Sequence, residues 1–143
     1  RSRNYLSSTD GKEFKQGAVT VIGTGKAPFE LIENAKQRDY FYEAPVEMLN
    51  DTRITRLISP FAQASFTQVF GELTAIGMNE MQIEILKDQL TMAHNKGIGL
   101  RYWDIPEWPV STRNTIWRQL RTEGLDLLNA DNLQAAAGYE DNW

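Results

Sequence analysis

Residues 99–109 read Gly-Leu-Arg-Tyr-Trp-Asp-Ile-Pro-Glu-Trp-Pro, and the interpretation of the whole chain depends on this stretch. Residues 100–104 can form one extended strand, after which Pro106 and Pro109 prevent further ladder pairing and enforce a loop. Polar and aromatic groups therefore collect at the carboxyl end of a strand. Ligands bind at that end of parallel α/β sheets, because its loops vary while the strands stay fixed. Alternatively, Trp103 and Trp108 are hydrophobic plugs and Asp104 caps the loop.

The composition is that of an ordinary globular domain. The 143 residues suffice for one domain with a substantial core, and hydrophobic residues make up 41%. The formal net charge of -4 argues against a dedicated nucleic-acid binder, which normally carries a basic surface. The absence of cysteine excludes disulfides and thiolate metal sites and leaves the compartment unknown. No apolar run approaches the roughly 20 residues of a membrane span, so no transmembrane segment is expected.

The chain begins with Arg-Ser-Arg and has neither an initiator methionine nor the apolar core of a signal peptide. Residues 1–17 are polar and contain a turn signal at Asp10-Gly11. We therefore expect residues 1–17 to be a lead-in or a cleaved loop, and residues 18–143 to form the domain.

Strand and helix signals alternate along the chain, which predicts an α/β fold of βα units with a parallel sheet. Strands are expected at residues 18–22, 39–44, 100–104 and 126–129, with a possible short strand at 61–66. Helices are expected at residues 28–35, 67–73 and 79–97, from Ser111 to Gly124, and from about Leu133. Since carboxyl ends of parallel strands share one edge, the polar residues that follow the strands predict a ligand-binding rim.

Gly23, Gly25 and Lys26 follow the first predicted strand and precede a helix. Free backbone N–H groups and the helix dipole at such a position favour an anion, although two glycines after a strand also make a simple tight turn. Glu43 ends the second predicted strand, where it is either a general acid or base, a ligand contact, or a solvated loop acid.

Three further residues have structural interpretations. His94 is expected on the packed face of its helix, near a helix end that favours positive charge, so it is interpreted as structural. Arg113 lies in a first helical turn, where the dipole disfavours a cation. It is there either for a partner or as a stacked or exposed arginine. Asp131 can cap the last helix.

Four segments together resemble one family in their order and spacing. They begin at Val19 (Val-Thr-Val-Ile-Gly-Thr-Gly), Arg38 (Arg-Asp-Tyr-Phe-Tyr-Glu-Ala-Pro), Arg101 (Arg-Tyr-Trp-Asp-Ile-Pro) and Gly124 (Gly-Leu-Asp-Leu-Leu-Asn-Ala-Asp). The family comprises the phosphatidylinositol-phospholipase-C-like and glycerophosphodiesterase-like phosphodiesterases, in particular the altered-inheritance-of-mitochondria branch of fungi and bacteria. The resemblance covers residues 17–135, and its Arg-Tyr-Trp-Asp-x-Pro segment is the most specific part.

The resemblance implies a (β/α)8 barrel, of which this chain would be the carboxyl-terminal half with strands five to eight. The first half of the family fold supplies a His-Asn-Asp segment and a Glu-x-Asp pair, which bind a divalent cation and provide the acid/base histidine. Neither segment occurs here. The resemblance therefore implies a cation, Mg or Ca, whose ligands lie outside this chain, and leaves the catalytic residues unknown.

The same resemblance assigns substrate-pocket positions to residues of this chain. Trp103 and Asp104 match the rim after strand seven, and Glu43 matches the acidic position after strand six. Asn129 and Asp131 match the end of strand eight. Arg101, with Asp104, would fix substrate hydroxyls or neighbouring side chains.

A half-barrel leaves two unpaired edges and an uncovered apolar face, which proteins seldom tolerate. The expected partner is the missing amino-terminal half or a second copy of the chain. The implied function is part of a metal-dependent phosphodiesterase that acts on a glycerophosphodiester or lysophospholipid. The alternatives are a non-catalytic anion-binding or interaction module, or a structural proteolytic fragment.

Overall fold

A computed structural model describes residues 5–74 and 76–138. The chain divides into two compact units, Arg1–Ala62 with Met92–Ile98, and Gln63–Thr91 with Gly99–Trp143. Each unit is described in turn.

The first unit opens with two short strands, β1 (Ser8–Thr9) and β2 (Phe14–Lys15), which pair antiparallel. They are followed by β3 (Val21–Gly23), α1 (Phe29–Asn34), β4 (Tyr40–Pro45) and a 3-10 helix (Val46–Asn50). β3 pairs in parallel with β4, and Leu6 pairs in parallel with Val19 just before β3. The polar segment expected as a lead-in thus contains regular backbone pairing.

The second unit contains most of β5 (Phe61–Ser65), then α2 (Phe66–Phe70) and most of α3 (Glu80–Asn95). After these come β6 (Gly99–Trp103), α4 (Val110–Thr122), β7 (Leu127–Leu128) and α5 (Leu133–Ala137). β6 and β7 pair in parallel, with Arg101 opposite Leu127.

Strands β3 to β7 form a five-stranded parallel sheet in chain order, which confirms the predicted α/β class. The segment treated as a possible strand, β5, occupies the central position. Parallel neighbours in chain order require a crossover between them, and helices provide these crossovers in βα units. The assignment to strands five to eight of a barrel stays a prediction.

Side chains of a strand alternate between the two faces of the sheet, and this alternation separates packing from polar positions. In β6, Leu100 and Tyr102 are fully buried, and the Tyr102 ring lies 5.2 Å from that of Phe70 in α2. Arg101 and Trp103 therefore belong to the opposite face. In β4, Tyr42 packs against Phe29 of α1, so Glu43 belongs to the face opposite α1.

The helix caps differ from expectation at two places. Asn79 caps α3 as predicted, because its side chain accepts from the Gln82 backbone N–H while the Gln82 side chain accepts from the Asn79 N–H. Pro109, with extended backbone, occupies the cap position of α4, so the expectation that Ser111 caps this helix is wrong. The last helix is capped by Asn132, which accepts from Ala135 N–H, and not by Asp131.

His94 was expected on the packed face of α3 and is exposed instead. Its neighbour Ala93 takes the buried position, because one residue rotates the side-chain direction by about 100° around a helix.

Candidate functional site

The loops that follow β6 and β7 enclose a polar cavity in the second unit. Its volume is about 280 Å³. The lining residues are Asp104, Ile105, Pro106, Glu107, Arg113, Trp117, Asn129 and Asp131. Both loops leave the carboxyl ends of parallel strands, where ligands bind in α/β folds. The structure thus brings together three predicted site residues, Asp104, Asn129 and Asp131.

Asp104 is held in a fixed and unusual conformation at the end of β6. Its φ of 61° lies in the left-handed region, which typically costs a non-glycine residue about 1 kcal/mol or more. Its Oδ2 accepts hydrogen bonds from the Ser65 hydroxyl at 3.0 Å and from the Thr67 hydroxyl. Ser65 also caps α2 through the Gln68 N–H. The carboxylate that borders the cavity is therefore positioned by β5 and the start of α2.

Asn129 is positioned from the neighbouring strand. Arg101, half-buried on β6, donates from Nη1 to Asn129 Oδ1 at 2.8 Å. Because Asn129 follows β7, this bond ties the end of one strand to the middle of the other. The amide oxygen of Asn129 is engaged by Arg101 while the residue borders the cavity.

Trp103 lies beside this arrangement and does not line the cavity. Its ring is 40% exposed, and its indole N–H donates to the side-chain oxygen of Gln63 on β5. Gln63 and Trp103 thus share the sheet face that α2 does not cover. Asp131 and Glu107, two further acids of the lining, are exposed.

Arg113 is the cavity residue that the sequence interpretation underrated. It is only 6% exposed, and its guanidinium lies over the Trp117 ring at 4.4 Å from the centroid. Nε and Nη2 donate to Asn114 Oδ1 at 3.1 and 2.9 Å. Of the two structural alternatives for Arg113, stacked or exposed, the structure shows the stacked one. A signal was present, since Arg113 and Trp117 are four residues apart on one helix and therefore neighbours on its surface.

Glu43 belongs to the first unit and is only 5% exposed. β4 continues to Pro45, so Glu43 lies within the strand and not after it. The interpretation as a solvated loop acid is wrong, because strand pairing continues past this position and keeps the side chain buried.

Gly23 ends β3, and Gly25 and Lys26 lie in the turn between β3 and α1 in the first unit. The Ala27 N–H donates to Thr24 O at 3.2 Å, and Gly25 has a φ of 61°. Lys26 is exposed. α1 has only 6 residues and follows Pro28, so its dipole is a weak anion attractor. Anion binding at this turn stays a prediction.

Within residues 5–74 and 76–138, no group of three or more acidic or histidine side chains is arranged to hold a metal ion. The same part of the chain contains no helix long and apolar enough to cross a membrane.

Comparison with known proteins points to one family. Residues 1–43 match the AIM6-like phosphodiesterase domain. This range includes the polar first 17 residues and ends at Glu43, so the cavity residues lie outside it. No solved structure matches the chain significantly.

The similarity to individual relatives extends along nearly the whole chain. The altered inheritance of mitochondria protein 6 homolog of Arthroderma benhamiae is 44% identical over 143 residues, covering 97% of this chain and 45% of that protein. Altered inheritance of mitochondria protein 6 of Eremothecium gossypii is 29% identical over 150 residues, covering 95% and 39%. The Candida glabrata protein of that name is 29% identical over 152 residues, covering 94% and 37%. The chain spans less than half the length of these relatives.

Proposed function

We propose that this chain is part of a phosphodiesterase and that its cavity at the ends of β6 and β7 binds the phosphodiester substrate. The observation that carries the proposal is the convergence of Asp104, Asn129 and Arg113 on one cavity at the carboxyl ends of parallel strands. The match to the AIM6-like phosphodiesterase domain supports the reaction class. Phosphate sites in (β/α)8 enzymes are commonly built from the loops after the last two strands, which is the position proposed for these loops.

The residues of the cavity suit a small polyol phosphodiester. A cavity of about 280 Å³ holds the glycerol and phosphate portion of such a molecule. The Asp104 carboxylate accepts hydrogen bonds from hydroxyl groups, as it does from Ser65 and Thr67. Asn129 adds an amide that both donates and accepts. Trp103, which is 40% exposed and lies outside the cavity lining, is proposed to contact the second alcohol of the diester, such as a choline or lysophospholipid portion.

The family resemblance implies a divalent cation, Mg or Ca. The described residues do not fit one, because no three of their carboxylate or imidazole groups lie close enough together to hold one ion, and Asp104 is engaged by two hydroxyls. In this proposal the cation ligands and the general acid/base come from a missing amino-terminal half-barrel or from a second copy of the chain. This chain binds and orients the substrate opposite that chemistry. Hydrolysis then adds water to phosphorus and releases one alcohol, which takes up the proton.

The test is hydrolysis of bis(4-nitrophenyl) phosphate and glycerophosphocholine with Mg²⁺, Ca²⁺ or EDTA. It is run on this 143-residue chain and on the longest natural polypeptide that contains it. We expect activity from the longer form only, and we expect Asn129→Ala to lower its kcat/KM about tenfold while Arg118→Gln leaves it unchanged. Arg118 is an exposed residue of α4.

Two results would count against the proposal. Metal-dependent turnover by the short chain would show that the catalytic groups are inside it. Absence of hydrolysis by the longer form would favour a non-catalytic binding module.

A further inference from the structure

We propose that Arg113 is the phosphate-binding residue of this cavity, and that its single charge selects a monoanionic phosphodiester over a dianionic monoester. This inference rests on the proposed function, because it assigns the ligand to the same cavity. Neither the family match, which ends at residue 43, nor the resemblance assigns a role to Arg113.

Arg113 is a buried cation that forms no ion pair with another described residue. Its side chain is 94% buried, from an exposure of 6%. Within residues 5–74 and 76–138, Arg113 forms no ion pair, and its hydrogen-bond acceptor is the uncharged Asn114 amide. Burying a guanidinium without an opposite charge is costly, and proteins normally pair such a group. The charge of Arg113 borders the cavity, and the three carboxylates of the same lining, Asp104, Glu107 and Asp131, are exposed and form no ion pair with it. The guanidinium is therefore available to an anionic ligand.

The partners of Arg113 orient its guanidinium but carry no charge that would neutralise it. The Trp117 ring stacks under the guanidinium at 4.4 Å, and the Asn114 amide oxygen accepts from Nε and Nη2. Both partners are uncharged. They restrict the rotation of a long side chain before the ligand arrives, which lowers the entropy cost of binding. Asn114 occupies the Nε–Nη2 edge, so the other edge of the planar guanidinium, formed by Nη1 and Nη2, is the one that matches two oxygens of a phosphoryl group.

Three acidic residues, Asp104, Glu107 and Asp131, line the same cavity. Glu107 and Asp131 are exposed, so solvent screens them, whereas the charge of Arg113 is buried and less screened. Together with Asp104, these carboxylates repel a ligand of charge -2 more strongly than a ligand of charge -1. One buried guanidinium balances one negative charge, as in a phosphodiester. The carboxylates then accept hydrogen bonds from the hydroxyls of the alcohol portion.

The experiment is isothermal titration calorimetry of this chain at pH 7.5 with four probes. These are glycerophosphoglycerol (a monoanionic diester), sn-glycerol 3-phosphate (a monoester), inorganic phosphate and glycerol. We expect the diester to bind most tightly. Arg113→Gln should weaken diester binding about tenfold or more, which corresponds to the loss of a charged hydrogen bond. Arg113→Lys should fall between Arg113→Gln and the wild type, because lysine keeps the charge without the planar fork.

Arg118→Gln is the matched control, since it removes the same charge from an exposed position of the same helix. A second measurement covers the case in which an Arg113 variant does not fold. In the wild-type chain, the Nε–H resonance of Arg113 should shift during the diester titration and saturate with it. An unmoved Nε–H signal at saturation, or equal affinity of folded Arg113→Gln and wild type, would overturn the assignment. Equal affinity for the diester and the monoester would overturn the claimed charge selectivity.

The outcomes separate this inference from the proposed function. If the longer polypeptide hydrolyses diesters and Arg113→Gln leaves its KM unchanged, the phosphodiesterase proposal stands and the role of Arg113 is wrong. If Arg113 binds the diester and the longer polypeptide does not hydrolyse it, the binding site stands and the enzymatic proposal is wrong.

Discussion

Arg101 Nη1 donates to Asn129 Oδ1 at 2.8 Å, so a side chain in the middle of β6 holds the residue that follows β7. The register supports this bond, because Arg101 pairs with Leu127 across the two parallel strands. This charge-assisted hydrogen bond therefore helps to position one edge of the cavity in the second unit. Such bonds contribute about 1.5–3 kcal/mol when they are half-buried and well aligned.

Replacing Asn129 tests the energetic weight of this bond. Asn129→Ala should lower the free energy of unfolding by about 1–2 kcal/mol, because the hydrogen bond from Arg101 to this acceptor is lost. Asn129→Asp should restore most of that stability, since a carboxylate also accepts from the guanidinium. Urea unfolding followed by tryptophan fluorescence measures both. The control is Asn95→Ala at the exposed end of α3. Equal effects at positions 95 and 129 would contradict the account.

Asp104 variants separate its backbone strain from its hydrogen bonds. Asp104→Asn keeps an acceptor for Ser65 and Thr67 and should cost less than about 1 kcal/mol. Asp104→Ala loses the acceptor and keeps the side-chain strain at φ 61°, so it should be the least stable variant. Asp104→Gly should recover about 1 kcal/mol relative to alanine, because glycine adopts positive φ freely. If thermal unfolding showed Asp104→Ala to be at least as stable as Asp104→Gly, this explanation would be wrong.

The stability of the second unit should fall at alkaline pH because of Tyr102. Burial raises the pKa of the Tyr102 phenol above its ordinary value of 10.0, and the hydroxyl donates to Gln89 Oε1 at 2.6 Å. As pH rises past 10.0, the unfolded chain releases this proton before the folded one does. The free energy of unfolding therefore decreases with pH in that range. Tyr102→Phe should flatten the decrease, and Tyr5→Phe, at a 67% exposed position, should not. Identical alkaline slopes for the two variants would show that Tyr102 is not the cause.

The first unit should lose stability at acid pH through Asp51. Hydrogen bonds from the Arg53 guanidinium and backbone N–H hold the pKa of Asp51 below its ordinary 3.8. As pH falls through this range, the unfolded chain takes up a proton before the folded one does, so stability decreases. Asp51→Asn should make the decrease of stability with falling pH less steep. In 1 M salt the difference between Asp51→Asn and the wild type should become smaller, because the side chains of Asp51 and Arg53 are partly or largely exposed. Asp88→Asn, on an exposed part of α3, is the control. If the stability of Asp51→Asn decreased with falling pH as steeply as that of the wild type, this assignment would be wrong.

The sequence was informative where hydrophobic periodicity is strong. The apolar residues of α3 repeat at helical spacing, the residues of β6 alternate, and β4 is a short apolar run that ends at Pro45, so these elements were predictable. β1 and β2 were not predicted, because each has only two residues and the segment is polar. The cap of α5 was assigned one residue too early, since Asp131 and Asn132 are both good capping residues and only the backbone geometry decides between them.

The candidate site could be predicted in part. Asp104 and Asn129 end predicted strands, Asp131 follows one, and parallel pairing brings these strand ends together. The burial of Arg113 could not be read from its position, because the first turn of a helix disfavours a cation. Its stacking on Trp117 offsets this disadvantage, and stacking depends on which helix face is covered. The burial of Glu43 was missed for a similar reason, since β4 extends two residues beyond it.

The most direct test of the central claim is to map ligand binding onto this chain by NMR. Glycerophosphoglycerol is titrated into the isotopically labelled chain, and backbone and side-chain amide shifts are followed residue by residue. We predict that the largest shifts occur in the loops after β6 and β7 and in the first turn of α4, at Asp104, Asn129 and Arg113. Shifts confined to Gly23, Gly25 and Lys26, or no shifts at millimolar ligand, would contradict it.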